Sequence, residues 1–176
     1  AHHWTVPTDS GGKYQIGIWN STSVMVPYQV GAWMHIAAVY DNLASKLTVY
    51  VNGQPFATNS EAGVNLQTHQ LVLGQAQQVN EDSFRGALDE VRVWNRTRSA
   101  AQIAANYTRR LEGNEDGLVV YYPFDEGTGV TTTSVADGNL VATLNNGPTW
   151  TARAGLPSPD VTLGAAALQF DGISSR

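Results

Sequence analysis

The acidic residues of this chain occur as adjacent pairs, and such pairs are the first candidates for acid and base catalysis. The four pairs are Glu81-Asp82, Asp89-Glu90, Glu115-Asp116 and Asp125-Glu126. Neighbouring residues of a β-strand point to opposite faces of the sheet, so the two members of a pair cannot flank one glycosidic bond. The pairs therefore do not predict a glycosidase.

Other catalytic patterns are also missing from the sequence. The 176 residues contain no Cys, which excludes thiolate nucleophiles, thiolate metal sites and disulfides. The four His residues lack metal-ligand spacing apart from the adjacent His2 and His3. Ser, His and Asp are present without a G-x-S-x-G elbow or another local signature of a triad. We expect a protein that is not an enzyme.

Aromatic side chains offer a different kind of chemistry, because the apolar side of a sugar ring stacks on Trp or Tyr. Trp19 is followed by the polar Asn20 and is the least core-like Trp of the chain. We predict Trp19 and the nearby Tyr28 as ligand-binding residues. Packing in the protein core is the alternative for both.

Three sequons predict N-glycosylation at Asn20, Asn95 and Asn106. They are Asn20-Ser21-Thr22, Asn95-Arg96-Thr97 and Asn106-Tyr107-Thr108. Ser and Thr are frequent in this chain, so chance matches are the alternative. The sequons have a meaning only in an organism that glycosylates secreted proteins.

The charge pattern excludes two classes of partner. The net charge is −5 and the ten Lys and Arg residues are scattered, so neither nucleic acid nor an anionic lipid surface is expected to bind. No apolar run approaches the roughly 18 residues that a membrane-spanning helix needs. We therefore expect no insertion into a membrane.

Local patterns predict an all-β chain with one short helix. Lys46 to Phe56 alternates and contains Asn52-Gly53, the pair that best tolerates the positive φ angles of a tight hairpin turn. Trp33 to Asp41 is apolar on both faces and predicts a central strand buried on two sides. Further strands are predicted at Leu71 to Gln75 and Gly86 to Asn95. The helix follows Ser99, a good N-cap, with Ile103 and Tyr107 as its apolar stripe.

Three stretches together carry a family resemblance. They are WMHIAAVYDNLASKLTVYVNGQPFATN, FRGALDEVRVWNRTRSAAQIAANY, and GLVVYYPFDEGTGVTTTSVADGNLVATLNNGPTWTARAGLP with its following AALQFDG. The chain resembles the concanavalin A-like jelly-roll domains of the laminin G and pentraxin-like group. The resemblance implies an antiparallel two-sheet sandwich with one short helix, located outside the cell. Retaining glycosidases of this sandwich type carry acidic residues two and four apart on one strand, and no such run occurs here.

The order of the motifs differs from the order that the resemblance implies. Residues 1–111 resemble the last two-thirds of a domain, 112–116 is an acidic, turn-rich boundary, and 117–176 resembles a first third. This order predicts either a segment of a longer protein with tandem domains, which starts in one domain and ends in the next, or a permuted domain with pieces missing. The tail then either belongs to the next repeat or folds back to complete the same sandwich, and a neighbouring chain could complete each half instead.

The resemblance also implies a calcium ion at the sheet edge. Similar domains ligate it with an acidic residue near the FDG motif and with one from the DE pair of the last strand. These positions are Asp171 and Asp89 in this sequence. The alternatives are that Asp171 stabilises the turn at Gly172, and that Asp89 caps a turn or pairs with Arg92.

Two functions follow from the sequence. The first is a non-catalytic extracellular module for binding and adhesion, which recognises a glycan or a protein as one unit of a larger multidomain surface protein. The second is a structural repeat of a stalk, sheath or filament, assembled by strand exchange between neighbouring copies.

The calcium prediction can be tested by thermal unfolding with calcium and with excess chelator, at several protein concentrations. A tail that folds back and forms the site predicts a melting temperature that rises with calcium and does not depend on protein concentration. No response to calcium, combined with a strong concentration dependence, would instead indicate strand exchange between chains.

Overall fold

The computed structural model describes residues 12–18, 22–60, 71–74, 84–152 and 166–171. The chain divides into two compact units, each assembled from two segments. The first unit comprises Ala1–Asp82 and Thr97–Tyr107, and the second comprises Ser83–Arg96 and Thr108–Arg176. The chain therefore passes from the first unit to the second, back to the first, and again to the second.

The described part of the first unit contains two antiparallel sheets. Strands β1 (Lys13–Gly17) and β2 (Ser23–Pro27) form a hairpin. Strands β3 (Ile36–Asp41), β4 (Lys46–Val51) and β5 (Gln54–Ser60) form a three-stranded sheet with β4 in the middle.

The core of the first unit is centred on β4. The alternation of this strand directs Leu47 and Val49 to one face, where both side chains are 0% exposed. They cluster there with Ile16, Val24 and Val26 of the β1–β2 hairpin. Full burial of an aliphatic side chain of this size stabilises a fold by about 1.5–3 kcal/mol. The sheet is therefore fixed to the hairpin through one face of β4.

The predicted β4–β5 hairpin is confirmed, with its turn at Asn52-Gly53. Asn52 has a φ of 48° and Gly53 a φ of 77°, the left-handed values that this tight turn requires. The Asn52 side chain also accepts a hydrogen bond from the backbone N–H of His35 at 2.9 Å. The turn is thereby tied to the segment that leads into β3.

The predicted helix is also confirmed, as α1 (Ala100–Asn106) in the first unit. Ser99 accepts a hydrogen bond from the backbone N–H of Gln102, and the Gln102 side chain accepts one from the backbone N–H of Ser99. This reciprocal capping box satisfies backbone donors that the first helical turn leaves unpaired. Ile103 is the buried residue of the helix, as its stripe predicted.

The second unit joins strands that are distant in sequence. They are β6 (Arg85–Leu88), β7 (Val91–Trp94), β8 (Leu118–Tyr122), β9 (Thr131–Thr133), β10 (Val141–Thr143), β11 (Thr149–Ala152) and β12 (Ala166–Asp171). Strand β7 pairs with β8, β12 pairs with both β6 and β11, and β9 pairs with β10, all antiparallel. Strands that precede α1 are thus completed by strands that follow it.

Three strand predictions differ from the structure. The strand predicted over Gly86–Asn95 is divided into β6 and β7, because Glu90 has a φ of 54° and breaks the extended backbone. Residues 71–74 of the strand predicted at Leu71–Gln75 are not extended into a sheet, and Leu71 is 48% exposed. The strand predicted from Trp33 begins at Ile36, is half-buried throughout, and pairs with β4 alone among the described strands.

The fold class predicted from the sequence is confirmed. The described residues form antiparallel sheets and one short helix, as in a concanavalin A-like sandwich. The domain boundary predicted at 112–116 concerns where one domain of a longer protein ends and the next begins, so it stays a prediction.

Two glycine substitutions test how the β4–β5 turn is held. Gly53→Ala introduces a side chain at a φ of 77°, and its Cβ would lie 2.5 Å from Cδ1 of the Tyr107 ring. Gly31→Ala has the same φ but meets no atom within 4 Å. We expect Gly31→Ala to lower the free energy of unfolding by about 1–2 kcal/mol. We expect Gly53→Ala to lower it by a further ~1–3 kcal/mol because of overpacking.

Urea unfolding of both variants beside the parent chain measures the two losses. Equal losses would show that the Tyr107 contact does not constrain the turn.

Candidate functional site

A polar groove lies on the face of the three-stranded sheet that is opposite the core. Because Leu47 and Val49 point into the core, Lys46, Thr48 and Tyr50 point the other way. Strand β3 adds Val39 and Asp41, which lie opposite Thr48 and Lys46 in the antiparallel register. These residues form the floor and one wall of the groove.

The beginning of α1 forms the second wall. Thr97, Arg98, Ser99 and Gln102 line the groove on this side, and Ala44 of the β3–β4 turn closes one end. The cavity volume is about 350 Å³. This volume is at the lower end of the range of about 300–1,000 Å³ that is usual for small-molecule sites. We call these ten residues the sheet–helix groove.

Asp41 is held by the turn that follows β3. Its Oδ1 accepts hydrogen bonds from the backbone N–H groups of Leu43 and Ala44, both at 3.0 Å. Its Oδ2 makes no hydrogen bond within the described residues and remains an acceptor for a ligand.

Thr48 and Tyr50 give the floor both polar and apolar character. The Thr48 hydroxyl lies 3.2 Å from the Thr58 hydroxyl of β5, so the two form a cross-strand pair. Tyr50 is 8% exposed, and its hydroxyl makes no hydrogen bond with any described residue. Hydroxyl groups beside an aromatic ring suit a ligand with alternating polar and apolar surfaces.

Gln102 supplies a fixed amide on the helical wall. Its Oε1 accepts the hydrogen bond from the Ser99 backbone N–H at 2.9 Å, which sets the orientation of the side chain. Its Nε2 has no hydrogen-bond partner among the described residues and can donate to a ligand. The capping box of α1 therefore also positions a donor for the groove.

The described residues of the groove contain fewer carboxyl groups than glycoside hydrolysis normally uses. Asp41 is the one carboxylate among its lining residues. Hydrolysis of a glycosidic bond normally needs two carboxyl groups, placed on either side of that bond. The described lining residues therefore supply one of these two groups.

The backbone places Asp89 and Asp171 at opposite ends of β6. In the register of β6 and β12, Asp171 pairs with Arg85 and Leu168 pairs with Leu88, so Asp89 lies beyond the other end. Arg85 and Asp89 are four positions apart along the chain, a distance of about 13 Å in extended backbone. The structure does not bring the two aspartates together, and calcium binding at either one stays a prediction.

The Asp89 side chain has a local role in the turn. Its Oδ1 accepts a hydrogen bond from the backbone N–H of Glu90 at 2.9 Å. Arg92 forms an ion pair with Glu90 at 2.5 Å. No group of three or more His, Asp or Glu side chains with a geometry suited to a metal ion occurs in the parts of the chain that the structure describes.

Glu90, Arg92 and Tyr121 form a half-buried network that sequence reasoning missed. The Tyr121 hydroxyl donates to Glu90 Oε2 at 2.9 Å, and the Arg92 guanidinium lies 5.4 Å from the centre of the Tyr121 ring. Burial and the adjacent Glu90 carboxylate raise the pKa of Tyr121. The network connects β7 and β8 and serves the stability of the second unit. Only the pairing of these strands would have revealed it.

Tyr28 stacks on Tyr14 in the first unit. The ring centroids are 4.3 Å apart and the planes differ by 17°. Burial, and next the proximity of Tyr28, raises the pKa of Tyr14. Tyr14 packs against the core cluster, so the pair extends the core toward the surface. A ligand role of Tyr28 stays a prediction, and Trp19 lies outside the described residues.

The predicted glycosylation sites differ in their surroundings. Asn95 is exposed directly after β7. Asn106 is half-buried at the end of α1, where its side chain donates to the carbonyl of Gln102 at 2.7 Å. Asn20 lies outside the described residues. Glycosylation at all three stays a prediction.

Comparisons with known proteins identify the type of fold. The laminin G-type family model of the concanavalin A-like lectin/glucanases superfamily matches residues 1–104. The fold is also similar to the crystal structure of a candidate carbohydrate-binding protein from Bacteroides ovatus ATCC 8483, with 23% sequence identity and a TM-score of 0.60. The match covers 82% of this chain and 50% of that chain, so this chain spans about half the length of that structure. No curated protein matches the sequence.

No helix among the described residues combines the length and the apolar character needed to cross a bilayer.

The capping box that positions Gln102 can be tested by Ser99→Ala. The substitution removes the side-chain acceptor of the first helical turn, and we expect the free energy of unfolding to fall by about 1 kcal/mol. Ser60→Ala at the exposed end of β5 is the matched control, for which we expect a change within about 0.5 kcal/mol. Chemical denaturation of both variants gives the comparison. Equal effects of the two substitutions would contradict the capping role.

Proposed function

This chain belongs to the concanavalin A-like lectin/glucanase superfamily, and on that basis we propose that it is a non-catalytic carbohydrate-binding module whose glycan occupies the sheet–helix groove. The observation that carries the proposal is the composition of that groove. Thr48, Gln102 and Asp41 offer hydrogen-bonding groups beside the Tyr50 ring. A sugar presents both hydroxyl groups and an apolar ring face, so its hydroxyl groups can bond to these polar groups while its ring face contacts the Tyr50 ring.

The position of the groove on paired strands favours binding without large rearrangement. Its floor residues lie on β3 and β4, which pair along six consecutive residues. The core on the other face holds these strands through Leu47 and Val49. Side chains that are fixed before the ligand arrives lose little conformational entropy on binding.

Two further points support a binding module rather than a glucanase. The groove contains a single carboxylate, whereas the usual hydrolytic mechanisms use two. The similar structure from Bacteroides ovatus is itself described as a candidate carbohydrate-binding protein. We further propose an extracellular location and a place within a larger multidomain surface protein.

Strand pairing within one chain supports the module over the structural repeat. Strands β6 and β7 are completed by β12 and β8 of the same chain. A filament built by strand exchange would require these pairs to form between copies. The module could also serve in adhesion to another protein. In that variant of the proposal, the groove contacts a glycan carried by the partner protein.

A binding test follows directly from the floor of the groove. Soluble neutral and acidic polysaccharides are screened by affinity electrophoresis, and binders are measured by isothermal titration calorimetry. Thr48→Val keeps the shape of the side chain but removes its hydroxyl, so we expect the glycan affinity to fall roughly fivefold, as for one hydrogen bond. Thr131→Val on β9 is the matched control, and its affinity should be unchanged.

Two results would contradict the proposal. One is the absence of binding to any polysaccharide of the screen. The other is the release of reducing ends from a bound polysaccharide, which would indicate an enzyme.

A further inference from the structure

The sheet–helix groove contains a lysine on a chain that is acidic as a whole. The chain carries a net charge of −5. Lys46 and the carboxylate of Asp41 both line the groove, so the lysine is available to a ligand only if Asp41 does not neutralise it. A lysine that is not neutralised attracts a negatively charged ligand, which the net charge of the protein otherwise repels.

The Lys46 ammonium group is not neutralised by its strand neighbour. Asp41 lies directly opposite Lys46 in the β3–β4 register, where a cross-strand ion pair would be expected. The Asp41 carboxylate instead accepts two backbone hydrogen bonds within its turn. The Lys46 side chain forms no ion pair or hydrogen bond with any described residue.

Three arginines of the second unit show the contrasting arrangement. Their guanidinium groups form ion pairs with carboxylates: Arg92 with Glu90, Arg96 with Asp116 and Arg110 with Asp125. Lys46 is thus a cation of the groove that no carboxylate of the described residues binds. Lys46 differs from other exposed cations of the chain because it also lines the groove.

We propose that the sheet–helix groove binds an acidic oligosaccharide, in which the carboxylate or sulfate group of one sugar unit contacts Lys46 and the ring of another unit lies along Thr48 and Tyr50. This inference rests on the proposed function and specifies its ligand class. Lys46 and Tyr50 lie on the same face of β4, four residues and about 13 Å apart. The distance separates the anionic group from the aromatic end and gives the sugar one orientation in the groove.

The two lysines of the chain provide an internal control. Lys13 is exposed on β1 and does not line the groove, whereas Lys46 does. Reductive methylation with ¹³C-formaldehyde keeps both charges and gives one NMR signal for each lysine. We expect the Lys46 signal to move on addition of galacturonate trisaccharide and the Lys13 signal to stay in place.

Calorimetry with matched ligands and variants measures the role of the charge. The fully methyl-esterified trisaccharide has the same rings without the charge, and we expect it to bind at least tenfold more weakly, as for loss of a charge-assisted hydrogen bond. Lys46→Gln should cause the same loss, whereas Lys46→Arg and Lys13→Gln should bind as the parent chain does. The preference for the acidic sugar should weaken as salt is added.

A second ligand pair distinguishes the source of the negative charge. Galactose 6-sulfate is compared with galactose under the same conditions. A preference for the sulfated sugar alone assigns a sulfated glycan, and a preference for the galacturonate alone assigns a uronic acid. Either preference supports an anionic ligand, provided that it is lost in Lys46→Gln.

The inference and the proposed function fail in different ways. If charged and uncharged forms bind equally, or if the screen yields neutral glycans alone, the acidic-sugar inference is overturned and the carbohydrate-binding function stands. If acidic sugars bind but the Lys46 signal does not move, the assignment to this groove is overturned. If no saccharide binds at all, the proposed function itself is wrong.

Discussion

The two-faced strand β4 is the constraint on which the first unit depends. Leu47 and Val49 are completely buried on one side, while Lys46, Thr48 and Tyr50 line the groove on the other. A register shift by one residue would exchange these faces and place a lysine in the core. The burial of two aliphatic side chains therefore determines which polar groups a ligand can meet.

Local sequence patterns predicted the elements that local physics determines. The Asn52-Gly53 turn follows from the positive φ angles that these residues tolerate, and the helix follows from Ser99 and the buried Ile103. The observed turn at Asp41 has the same kind of local cause, because its carboxylate accepts hydrogen bonds from nearby backbone N–H groups. In each case the deciding contacts lie within a few residues of one another.

Contacts between distant residues could not be predicted in the same way. The division of the expected strand at Glu90 accompanies an ion pair with Arg92 and a hydrogen bond from Tyr121, 31 residues further along the chain. The separation of Asp89 from Asp171 follows from the register of β6 and β12. The groove was missed because its second wall, at Arg98 and Gln102, reaches β4 only through the packing of the helix.

The separation of the two faces of β4 has a consequence for specificity. Replacing a core residue such as Val49 leaves a cavity and costs stability, whereas exposed residues on the opposite face are usually replaced at a cost within about 0.5 kcal/mol. Residues such as Lys46 and Thr48 can therefore vary without altering the strand that carries them. In this arrangement the core preserves the fold while the outer face sets the charge and hydrogen-bonding pattern that a ligand must match.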